Sequence, residues 1–137
     1  KFQRFDPLYG TPHKFWGYMD YFYVADGFGS NGLVNYYFKT LYKPKDNLSL
    51  SLDIHGFSLP SAVTNEVGAR LNKSLGTEID FVLSYAATKS IGIEGGYSFM
   101  ISTSTMAAAK VKNVKNADSF SSWAYLMISI KPEFVFK

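Results

Sequence analysis

The sequence predicts an all-β fold, an antiparallel up-and-down meander of about six long strands, and three observations predict it. Apolar and polar residues alternate with a period of two along most of the chain. The alternating runs are long, and the links between them are by turns short and long. The composition is rich in rings and poor in ions, with 10 Tyr and 12 Phe in 137 residues and only 18% charged side chains against 47% hydrophobic. An ordinary domain has about a quarter of its residues charged, and aromatic side chains suit pleated, half-buried surfaces.

The clearest run is 48–55, where Leu48, Leu50, Leu52 and Ile54 take one face and Ser49, Ser51, Asp53 and His55 the other. A helical period would scatter those leucines around the axis. The run 33–43 sets Val34, Tyr36, Phe38, Thr40 and Tyr42 against Asn35, Tyr37, Lys39, Leu41 and Lys43. In 75–85 Leu75, Thr77, Ile79, Phe81, Leu83 and Tyr85 oppose Gly76, Glu78, Asp80, Val82 and Ser84. In 91–101 Ile91, Ile93, Gly95, Tyr97, Phe99 and Ile101 oppose Gly92, Glu94, Gly96, Ser98 and Met100. The last run sets Ala124, Leu126, Ile128, Ile130, Phe134 and Phe136 against Tyr125, Met127, Ser129, Lys131 and Glu133. A first strand is expected over 14–24, with Asp20 on the polar face and Phe15, Met19, Tyr21 and Tyr23 on the apolar one.

These runs are mostly about 10 to 12 residues long, whereas soluble strands average about 5 to 6 and tilted membrane strands need about 9 to 11. Residues 43–47 and 87–90 read as tight turns, and 25–32, 60–74 and 102–122 as long links. Short turns on one side and long loops on the other are what outer-membrane barrels have. On the apolar face Phe15, Tyr42, Tyr85, Phe134 and Phe136 fall near one end, and Tyr23, Tyr36 and Phe99 near the other. That is the disposition of two interfacial girdles. The meander is therefore expected to be part of a transmembrane β-barrel. Residues 1–12 form a lead-in, periplasmic or folded into the lumen, and 13–137 carry the strands.

Net charge is +3 and the isoelectric point about 9.0, and the basic residues are scattered, so no nucleic-acid partner is expected. Mean hydropathy is −0.05. Cysteine is absent, which excludes disulfide scaffolds and thiolate metal sites. The longest apolar stretch, 124–130, is far short of a membrane-spanning helix. The chain opens at Lys1 without an initiator Met, and is expected to be a processed product or a piece of a longer one.

Residues 5–20, FDPLYGTPHKFWGYMD, together with 75–80 (LGTEID), 95–98 (GGYS) and 123–127 (WAYLM), resemble the C-terminal part of alginate-export-like outer-membrane porins of Bacteroidetes. The resemblance implies a monomeric barrel of many more strands in the outer membrane of a Gram-negative bacterium. It also implies passive passage of an anionic polysaccharide or another polar solute. The residues expected to line the pore are Lys39, Lys43, Asp53, His55, Glu78, Asp80, Glu94, Lys131 and Glu133, a mixture of signs that is not an electropositive conduit. Phe134 and Phe136 near the terminus are similar to the assembly signal of outer-membrane proteins, with Lys137 after them a departure.

Asp53 and His55 share a face, and with a nearby Ser would compose a hydrolase-like set. Such chemistry on an outer-membrane enzyme must face lipid, and these residues lie on the polar face, so they read as lumen wall. Glu78 and Asp80 would serve equally as paired carboxylates or calcium ligands, and read again as a charged wall. His13 has no companion ligand, and Gly92, Gly95 and Gly96 precede no helix, so they form no phosphate loop. No enzyme activity and no cofactor are expected. The expected partners are outer-membrane lipid, upstream strands of the same barrel or another chain, and the barrel-assembly machinery. The competing reading is a soluble lipocalin-like barrel, in which the apolar face lines a ligand cavity and the polar face meets water.

Overall fold

A computed structural model describes residues 16–22, 32–65, 67–110, 118–132 and 134. Five strands, β1 (Val34–Lys45), β2 (Leu48–Ser58), β3 (Ser74–Ala86), β4 (Ile91–Ser102) and β5 (Phe120–Ile130), form one open sheet in the order β1-β2-β3-β4-β5, each pair antiparallel. The all-β meander predicted from alternation is thus present, with five strands where about six were expected.

Among the described residues, the expected first strand is not formed. Residues 16–22 form turns and bends, with Gly17 at φ 95° and Asp20 at φ 54°, and such left-handed backbone cannot continue a strand. Residues 14, 15, 23 and 24 of that expected run lie outside the described residues. The last strand also differs. It begins at Phe120, earlier than the alternation suggested, and ends at Ile130. Pro132 lacks a ladder donor, and Phe134 stands outside the sheet.

Local chemistry accounts for the hairpins. Asp46 and Asn47 turn β1 into β2, and Pro44 is accommodated on an edge strand beside a register irregularity between Tyr42 and Lys45. Between β3 and β4, the Thr88 hydroxyl accepts the N–H groups of Ser90 and Ile91. The two longer links lie at the opposite end. Residues 59–73 fold back on themselves through a Thr64–Arg70 bridge, with the Asn65 side chain accepting the N–H groups of Val67 and Ala69. The other link opens with a short helix, α1 (Ser104–Lys110), inside what reads as a loop. Thr103 caps it, its hydroxyl accepting the Met106 N–H at 3.4 Å.

Between the irregularities at Tyr42/Lys45 and Phe57/Ser58, register keeps one parity across the sheet. On one face lie Phe38, Leu50, Leu52, Ile54, Phe81, Leu83, Ile93, Tyr97, Leu126 and Ile128, and on the other, the polar face, lie the charged residues together with Val82, Met100 and Trp123. Exposure runs opposite to a soluble sheet. Phe81 is 47% exposed and Ile128 62%, whereas His55 and Glu78 are 0%. The buried apolar cluster of Phe22, Phe57, Leu59, Leu75, Met100 and Met106 sits at the long-link end of the polar face. A bulge opposite Phe57 and Ser58 inserts Leu75 as the extra residue that fills it.

Candidate functional site: the polar face and the segment across it

The candidate site is built by register. One row across the sheet is Lys39, Asp53, Asp80, Ser98 and Trp123; the next is Tyr37, His55, Glu78, Met100 and Ser121. Sequence alternation placed Lys39, Asp53, His55, Glu78, Asp80 and Glu94 on one face, and strand pairing brings the first five into two adjacent rows.

Each of these side chains has a specific setting. Lys39 Nζ donates to Asp53 Oδ2 at 2.8 Å across β1 and β2, with Lys39 partly exposed and Asp53 mostly covered. The His55 ring is buried and stacks on Phe57 with centroids 5.8 Å apart. Its Nδ1 lies 3.1 Å from Asn35 Oδ1, within hydrogen-bonding distance. Asp53 and His55 are thus each engaged by β1, which is not the relay a hydrolase set requires. Glu94 accepts the Ser84 hydroxyl at 3.0 Å on one oxygen and the Tyr125 hydroxyl at 2.6 Å on the other. Lys43 borders a cleft of about 290 Å³ at the short-turn end, with Glu94 and Met127. Lys131 follows β5, its N–H donating to the Ser90 carbonyl. Glu133 and Phe136 lie outside the described residues, and Phe134 is 78% exposed.

Sequence alternation did not anticipate residues 16–22. This segment lies on the polar face, where Met19 N–H donates to Glu78 Oε1 at 2.8 Å and the Tyr21 hydroxyl meets Ser121 Oγ at 2.5 Å. Phe22 enters the apolar cluster, its ring centroid 4.6 Å from that of Phe57. A Cβ on Gly17 would lie 2.3 Å from Glu78 Oε1, so only glycine allows the backbone this close. Tyr18 sits among carboxylates: burial, then the charges of Asp53, Glu94 and Asp80, raise its hydroxyl above the ordinary phenol range. The one local hint was the pair Gly17 and Asp20, residue types that tolerate left-handed backbone.

Glu78 and Asp80 are buried on this face, and His55 Nε2 has no hydrogen-bond partner among the described residues. Among the described residues, no three His, Asp or Glu side chains are grouped to hold a metal ion. Comparison with family models, with curated proteins and with solved structures finds no match for this chain.

Proposed function

We propose that the chain supplies part of the wall of an outer-membrane β-barrel pore, with the polar face toward a water-filled lumen and the apolar face toward lipid. The observation that carries this reading is the inversion of exposure. The chain's own segment 16–22 packs on the polar face, while a continuous field of Phe, Leu, Ile and Tyr is left open on the other. A soluble lipocalin-like barrel needs the reverse, with the apolar side enclosed.

Dimensions agree with the proposal. The strands have 11 to 13 residues. At about 3.4 Å per residue and a tilt of about 45°, 11 residues span roughly 26 Å, the height of a barrel's apolar band of about 25 Å. Exposed Tyr42 and Tyr85 near the short-turn end, and Tyr36 and Phe120 near the other, would flank that band as girdles. In lipid the open edges of β1 and β5 require further strands, from the same barrel or another chain, because each unpaired backbone group costs several kcal/mol there.

The resemblance to alginate-export-like porins belongs to this proposal, with a polar solute such as a polysaccharide or oligosaccharide passing by diffusion. The test is membrane fractionation with heat-dependent mobility on SDS gels. Recovery of the full-length protein in the outer membrane, with a shift in mobility on boiling, is the expected result. Recovery only in the soluble fraction would overturn the reading.

A further inference from the structure

We infer that residues 16–22 are a strap that narrows the lumen, and that the contact between Gly17 and Glu78 is the latch that holds it, so that Glu78 sets the size of solute admitted. The inference rests on the pore reading above.

The strap is anchored at separate points on different strands. Met19 N–H is held by Glu78 on β3, the Tyr21 hydroxyl by Ser121 on β5, and Phe22 by Phe57 on β2, within the cluster that includes Met100 of β4. The contacts of Tyr21 and Phe22 therefore reach from β5 to β2, three inter-strand spacings or about 14 Å. A segment of that reach on the lumen side occupies cross-section that solute would otherwise use.

The latch is specific. Glu78 is buried, and its Oε1 accepts the Met19 backbone N–H at 2.8 Å. Gly17 passes beside the same carboxylate with a positive φ and no room for a Cβ. Glu78 and Asp80, on β3 beneath the strap, are both buried. Burial of carboxyl groups is unfavourable, and lumen water would hydrate them once the strap lifts. The closed position is thus held at a few points against a pull from water, as a movable constriction requires.

The test compares full-length wild type with Gly17→Val and Glu78→Ala in planar bilayers, recording single-channel conductance and the cut-off for neutral polymers. Either variant should raise conductance severalfold and admit larger polymers. A second readout uses the absence of cysteine from these 137 residues, with any cysteine elsewhere in the full-length protein replaced. Ser98→Cys, at a buried position paired with Asp80, should react with a charged thiol reagent about tenfold faster when Gly17→Val is added, because local opening exposes it. Open channels with unchanged conductance, cut-off and labelling would overturn the strap while leaving the pore reading intact. Absence of channels from wild type and variants alike would overturn the pore reading and this inference with it.

Discussion

The Tyr125 hydroxyl on β5 donates to Glu94 Oε1 on β4 at 2.6 Å, and the ring reaches it by lying across Gly96. A Cβ at Gly96 would stand 2.1 Å from the Tyr125 ring, so the hydrogen bond depends on a missing side chain two residues along the strand. A glycine that weakens a strand by itself is here the platform for a cross-strand aromatic.

Removing the hydroxyl should therefore cost more than its volume suggests. Tyr125→Phe leaves Glu94 Oε1 without this donor and is expected to destabilise by about 1–3 kcal/mol. Denaturant unfolding in vesicles measures it. A Gly96→Val variant should lose at least as much, by displacing the ring, and a neutral result in both would show that the contact contributes nothing.

Gly17→Ala should destabilise the folded chain by about 1–3 kcal/mol, from left-handed backbone at a residue with a Cβ and the clash with Glu78. Gly92 meets nothing within 4 Å, so Gly92→Ala is the matched control and should stay within about 0.5 kcal/mol. Equal effects at the two glycines would contradict the packing of the segment on Glu78.

The lipid-facing assignment predicts a parity effect. Leu50→Arg or Phe81→Arg, near the middle of the apolar band, should cost roughly 2–4 kcal/mol. Ser51→Arg, one residue over on a half-buried polar-face site, should be milder. Val82 is not a useful control, because it is only 7% exposed. Unfolding from lipid vesicles reads the difference, and equal penalties at Leu50 and Ser51 would reverse the faces.

The Lys39–Asp53 pair is close, and its Lys39 end is open to water while Asp53 is mostly covered. A double-mutant cycle with Lys39→Met and Asp53→Asn should give a coupling of no more than about 1 kcal/mol, smaller in high salt. A coupling several times larger would mean that the pair is shielded from water in the assembled barrel.

Alternation by itself located five strands and their two faces. Leu48, Leu50, Leu52 and Ile54 opposite Ser49, Ser51, Asp53 and His55 admit a single strand phase, because a slip of one residue exchanges the faces. The same parity placed Glu78, Asp80 and Glu94 together before any contact was known. What it did not carry was anything that depends on distance across the fold. Residues 16–22 look like one more alternating run, yet Met19 binds Glu78 from 59 positions away, a contact without local signature. The helix at Ser104–Lys110 is too short to show a period and is held by Thr103 and by packing of Met106 on the cluster. Leu75 counts as an ordinary strand residue until pairing with β2 makes it the bulge. Side-chain period is a property of the local backbone and survives in sequence. Which segment lies on which face is decided only when distant surfaces exclude water together, and that information resides in the tertiary structure alone.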